Sequence, residues 1–245
     1  MEPTKEFALK VLRNLGLDAS EIPVCDEKRA DLKATDGEVT YLIEVKEKLD
    51  NPDGARYETW KSGQTEIRVR VDSHSRTSSI ANKLNEARQQ LDSTPSLPDT
   101  FRVIWMHVHG THVRSRARQA LCTFYGLVHL IPHSGKQVPM HCFYFDYNTA
   151  FDMPTVHGLM LIENDEPLLC LNEFAHNESN FRHSSLVQEF SQHGAVYDPI
   201  ERVKSGQAIA LRSNVPRKDE AVVLEELHRE TNDHYSVLRM NQYSY

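Results

Sequence analysis

The chain reads as an α/β protein, flanked by helices and ending in a strand-rich extension. Three observations carry that reading. Residues 39–46, 65–71 and 101–108 are strand-like, with period-two alternation or a continuous apolar run. Residues 7–15, 78–91 and 113–125 carry apolar stripes at helical spacing. The two kinds of segment alternate along the first half, and the second half is mostly short strands. With 245 residues, 39% hydrophobic and 26% charged, the composition is neither collagenous, disordered nor coiled-coil, and one large core or two small ones can form. The net charge of -7 excludes a polycation that coats nucleic acid by charge alone, but leaves room for a local basic cleft.

The elements follow in order. Phe7, Ala8, Val11, Leu12 and Leu15 form the stripe of a first helix, with Thr4 as its cap, Glu6 in its first turn and Gly16 at its end. A short strand is expected at Ile22 to Cys25. Asp36-Gly37 is a hairpin turn signal between two alternating runs, one ending at Thr35 and one beginning at Val39. Asn51 to Gly63 has the polar punctuation of a loop, and Thr65 to Val71 alternates as a strand that could be the third of a meander. Ile80, Leu84, Ala87 and Leu91 define a second helix, Phe101 to Val108 an internal strand, and Val113 to Tyr125 a third helix. Strands are expected at 127–131, 140–147, 156–162, 167–171 and 207–212, helices at 186–190 and 220–229, and fraying in the last five residues. The expected division is a core over residues 1–131 and an α+β extension over 132–245, which can belong to the same domain.

The hairpin has chemical consequences. If Asp36 and Gly37 are its turn, or the centre of a four-residue loop, Thr35 faces Glu38, Lys33 faces Thr40 and Asp31 faces Leu42. Strict alternation then places Asp31, Leu42, Glu44 and Lys46 on one face, and Ala30, Leu32, Tyr41, Ile43 and Val45 on the other. The second face is apolar and suits a helix, while the first, expected to be the less buried, presents two carboxylates and an ammonium. Two carboxylates on adjacent strands can hold Mg²⁺, which prefers oxygen ligands, with the Val45 carbonyl as a further ligand. Lys46 can orient water or neutralise charge on phosphorus. The plain alternative is a partly exposed ion pair between Lys46 and Glu44 or Asp31, worth about 0–1 kcal/mol.

The order helix, strand, Asp31, hairpin, Glu44-Val45-Lys46, helix, strand resembles the PD-(D/E)xK, or restriction-endonuclease-like, nuclease superfamily over roughly residues 3–109. The acidic pair is 13 residues apart, and Ala30 stands where the motif's proline would be. The resemblance implies a restriction-endonuclease-like core with a central mixed β-sheet between helices. It implies Mg²⁺-dependent (or Mn²⁺-dependent) hydrolysis of DNA phosphodiester bonds. Asp31, Glu44 and Val45 would hold the metal, Lys46 would assist the attack of water, and Glu6 and Gln90 (or Gln89) would help from the flanking helices. A nuclease-fold protein that binds nucleic acid or protein without catalysis is the alternative, and an unrelated α/β domain a third reading. Relatives of this kind often act as dimers, so a homodimer is a further expectation.

Lys61, Arg68, Arg70, Arg76, Lys83, Arg114 and Arg118 are the candidate phosphate contacts, since such contacts supply most non-specific affinity for nucleic acid. Each also has a plain reading as a solvated charge. Tyr57 and Trp60 are candidate base-stacking residues. His107, His109 and His112 lack a cysteine or carboxylate beside them in sequence, so a cleft lining that touches phosphate is favoured over zinc. The four cysteines form no CxxC pair and read as core thiols. Phosphate-loop, dinucleotide and GxSxG motifs are absent from the sequence. Neither a membrane span nor a signal peptide is apparent, so a cytoplasmic location (nuclear in a eukaryote), without membrane association or secretion, is expected.

Overall fold

The computed structural model describes residues 2–23, 29–49, 56–62, 65–97, 99–110 and 112–244, with several residues of β3–β5 and β14 described by backbone alone. Its centre is a seven-stranded mixed sheet in the order β1-β2-β3-β6-β9-β10-β11. These strands are β1 (Asp18–Glu21), β2 (Leu32–Thr35), β3 (Thr40–Leu49), β6 (Thr100–His109), β9 (Gly158–Glu163), β10 (Glu166–Leu171) and β11 (Val196–Tyr197). β3 and β6 run parallel over ten paired positions, and β6 and β9 are also parallel. Both faces of β6 are therefore covered, which explains its continuous apolar run.

Alternation divides the core into two layers. Tyr41, Ile43, Val45, Val103 and Trp105 pack with α1 (Pro3–Asn14) and α5 (Ser185–Gln192). Leu42, Ile104, Met106 and Val108 pack with α2 (Ser78–Ser93) and α3 (Val113–Tyr125). The α2 stripe of Ile80, Leu84, Ala87 and Leu91 is fully buried, as the 3.6-residue spacing requires. The chain is thus a helix–sheet–helix sandwich.

The later strands extend this frame. β9, β10 and β11 continue the central sheet, so the sheet crosses the division expected near residue 132. The β9–β10 turn uses Asn164 and Asp165, both at positive φ, which suits a two-residue hairpin. A second sheet, β12-β8-β7-β13, joins β7 (Val128–Pro132), β8 (Met140–Phe143), β12 (Ala208–Ala210) and β13 (Tyr235–Leu238), and Val223 and Leu227 of α7 (Glu220–Thr231) pack against it. Two short helices, α4 (Glu178–Arg182) and α6 (Pro199–Lys204), complete the set.

Several expectations are corrected. Thr4 does not cap α1; Glu2 occupies the cap position, Pro3 opens the helix, and Thr4 is buried. The first strand is Asp18–Glu21, pairing with β2, while Cys25 lies outside the described residues. The expected loop holds β4 (Arg56–Ser62), a partner of β5 (Thr65–Ser73); Gly63 lies outside the described residues. β5 is not the third strand of the core, because it belongs to a separate sheet, β14-β5-β4. The tail expected to fray forms β14 (Asn241–Ser244) against β5. β8 and β12 are shorter than the runs expected for them.

Candidate active site

The hairpin register differs from expectation by two residues. Thr35 pairs with Thr40, Lys33 with Leu42 and Leu32 with Ile43. The cause is that the connection spans residues 36–39 and is not centred on Asp36-Gly37; Asp36 closes it, its Oδ1 accepting the Glu38 and Val39 amides at 3.0 and 2.9 Å. An even shift preserves side-chain faces, so Asp31 and Glu44 still share one. Continued by one step, the register sets Asp31 opposite Glu44 instead of Leu42.

β2 begins only at Leu32, and Asp31 occupies the bend before it. Asp31 Oδ2 accepts the Val45 amide at 2.9 Å, replacing the ladder partner that β2 no longer supplies. A strand residue points its amide and carbonyl toward the same neighbour, so the Val45 carbonyl also faces this notch. The Asp31 carbonyl accepts the Ile22 amide at 2.9 Å. One residue earlier, the Ala30 amide donates to Thr94 Oγ1 at 2.7 Å, and that hydroxyl donates to the Gln90 carbonyl at 2.7 Å. The end of α2 is thereby tied to the acidic strand.

Glu44 forms the floor. It is 1% exposed, which corrects the expectation of a less buried face: α2 packs over this side of β3. Lys46 Nζ lies 2.8 Å from Glu44 Oε1 and donates to Gln90 Oε1 at 2.5 Å. Glu44 Oε2 is buried without a hydrogen-bond partner. Burial pushes the Glu44 pKa up to about 7; the Lys46 hydrogen bond opposes this, and the neighbouring Asp31 charge adds to it. On the open side, Lys5 Nζ of α1 contacts Asp31 Oδ1 at 2.7 Å. Burial alone would lower the Lys5 pKa, but its hydrogen bond and charge interaction with Asp31 raise it on balance.

The arrangement therefore brings together Asp31, Glu44, Val45, Lys46 and Gln90. It leaves out Glu6, which is exposed on the outer side of α1, and Gln89, which is exposed on α2. Lys5 was missed. Its signal was partial: Lys5 lies three and four residues before buried Ala8 and Leu9, whereas Glu6 lies three and four before buried Leu9 and exposed Lys10.

The remaining candidates fall elsewhere. Arg76 and Arg114 are exposed, and Lys83 and Arg118 are half-buried, all in or beside the helices that cover the Glu44 face. The side chains of Lys61, Arg68, Arg70, Tyr57 and Trp60 lie outside the described residues. The histidine expectation is corrected. His107 and His109 lie with ring centroids 3.9 Å apart and tilted by 32° on the α1 face, opposite Glu44, near Glu47 and Asp165. His112 instead opens α3, 3.9 Å from Asp72.

Among the described residues, no group of three or more His, Cys, Asp or Glu side chains could hold a metal. The donors at this notch are two carboxylates and a main-chain carbonyl, all oxygen. That set suits Mg²⁺, which usually keeps several waters and uses one or two carboxylates. No helix among the described residues is long and apolar enough to cross a membrane. No protein-family model, curated protein or solved structure matches the chain.

Proposed function

We propose that the protein is a metal-dependent nuclease of restriction-endonuclease-like architecture that hydrolyses DNA phosphodiester bonds at the Asp31–Glu44 notch. The observation that carries this reading is the convergence of Asp31, Glu44, Lys46 and Gln90 at the one place where β2 stops and β3 continues. A surface Glu-x-Lys pair needs no orphan buried carboxylate oxygen, yet Glu44 Oε2 is one.

Mg²⁺ or Mn²⁺ would be held by Asp31, Glu44 and the Val45 carbonyl, and when bound it polarises the phosphodiester and lowers the pKa of water. Asp31 is oriented for this by the Val45 amide. Lys46 projects its ammonium beside Glu44, and Gln90 limits its rotation. From there Lys46 orients the attacking water and offsets the negative charge that builds on the phosphoryl oxygens. Glu44, the most buried member, excludes bulk water from the floor. Arg76, Lys83, Arg114 and Arg118 are the described cations available to contact the flanking phosphates.

A binding protein without catalysis is the second reading. It draws on the two ammonium groups, Lys5 and Lys46, that neutralise both carboxylates. Incubation of labelled duplex, single-stranded and branched DNA with Mg²⁺, Mn²⁺ or EDTA separates the two. Metal-dependent cleavage that Asp31→Asn abolishes, with folding intact, is the expected result. Equal cleavage by Asp31→Asn, or none by the wild type under any of these conditions, ends the catalytic assignment.

A further inference from the structure

Lys5 is a cation built into the place where a divalent ion has to bind. One Asp31 oxygen, Oδ2, is committed to the Val45 amide. The other, Oδ1, is therefore the oxygen left for an ion, and Lys5 Nζ holds it at 2.7 Å. On the Glu44 side, Lys46 takes Oε1 and leaves Oε2 without a partner. Lys5 is not a loose surface residue: its side chain is 18% exposed, and the helix that carries it is anchored by Ala8, Leu9 and Leu12. Glu2, the cap residue of that helix and 73% exposed, lies 3.5 Å from the same ammonium.

We propose that Lys5 is a resident counter-ion, and that a divalent cation binds by displacing it from Asp31 toward Glu2. This rests on the metal site proposed above and adds a competing residue to it. Two positive charges cannot share Asp31 Oδ1 at contact distance without repulsion. Ion binding then includes the cost of breaking the Lys5–Asp31 pair, so the notch discriminates against weakly bound monovalent ions. Glu2 lowers that cost by receiving the ammonium after exchange. The alternative role for Lys5 is a structural ion pair that tethers α1 to β2 and is indifferent to metal.

Mn²⁺ binding to the full chain, followed by the electron paramagnetic resonance signal of free Mn²⁺, tests this without reference to cleavage. Lys5→Met removes the competitor and is expected to tighten Mn²⁺ binding by about fivefold or more. Lys5→Arg keeps the charge and is expected to stay within about twofold of the wild type. Asp31→Asn is expected to lose the binding. Equal or weaker binding by Lys5→Met, with Asp31 still required, overturns the role of Lys5 while leaving the metal site standing. Absence of binding in the wild type and both Lys5 variants removes the metal site itself, and the inference with it. Thermal melting without metal checks that each variant is folded.

Discussion

Glu44→Gln offers the sharpest test of the site's electrostatics. Glu44 is 1% exposed, with Oε2 unpartnered and Oε1 on Lys46. Burial raises its pKa from 4.5 to about 7. The folded protein therefore holds a proton between these values that the unfolded chain has released. Stability from this group is fully present below pH 4.5 and is lost as pH rises through about 7. The displacement corresponds to about 3 kcal/mol. Gln cannot ionise, so the variant should gain on the wild type as pH rises. It retains an amide oxygen as acceptor for Lys46, and Lys46 keeps Gln90 in any case.

Urea denaturation in EDTA at pH 5 and pH 8 measures the effect. The stability difference between variant and wild type should move in favour of Gln by about 2–3 kcal/mol between the two conditions. Excess Mg²⁺ should then stabilise the wild type but not the variant, because a ligand stabilises only the fold that binds it. A pH-independent difference, or one moving toward the wild type at high pH, refutes the argument that Glu44 is buried at an electrostatic cost.

Three further outcomes follow from the same geometry. Lys46→Met should lower the cleavage rate about 10²- to 10³-fold in single-turnover assays while Mn²⁺ binding persists, since in the proposed mechanism Lys46, which pairs with Glu44, would act on water and phosphate and would not ligate the metal. Gly126→Ala should destabilise by about 1–3 kcal/mol in urea, because Gly126 ends α3 at φ +58° and a Cβ there would sit 2.2 Å from the Asp146 carbonyl oxygen. Arg114→Glu with Arg118→Glu should weaken DNA binding equally for unrelated sequences and reduce its salt dependence by about one to two phosphate contacts, measured by anisotropy with EDTA present.

The parts of this molecule that were legible in sequence depend on periodicity. The faces of the hairpin were readable because alternation survives any even shift of register. The register itself was not, because it depends on a single carboxylate: Asp36 closes a four-residue connection with two main-chain amides, and Asp-Gly alone suggests a tighter one. α2 was readable along its whole apolar stripe. β4 and β14 were not, because their identity as strands comes from pairing with β5. For β14 that partner lies at the far end of the chain, and propensity is weak in so polar a segment. The burial of Glu44 was hidden for a related reason. A charged residue in an alternating run suggests a solvated face, and only the docking of α2 over β3 shows otherwise.

The early end of β2 links these observations. Had β2 continued past Leu32 in register, a main-chain group would meet the Val45 amide, and the Asp31 carboxylate would stand out from the sheet. Because the strand bends at Asp31, its side chain takes the place of a backbone partner within the sheet edge. One carboxylate oxygen is thereby fixed by the main chain, and the other opens toward α1, where Lys5 meets it. The same bend places Ala30 against Thr94, which brings the end of α2 and Gln90 over Lys46. A single interruption in strand pairing thus orients the first carboxylate, exposes the Val45 carbonyl edge and positions the helix that restrains the lysine. Disturbing Thr94 should accordingly reach the site through Ala30 and Gln90, without any contact between Thr94 and the carboxylates.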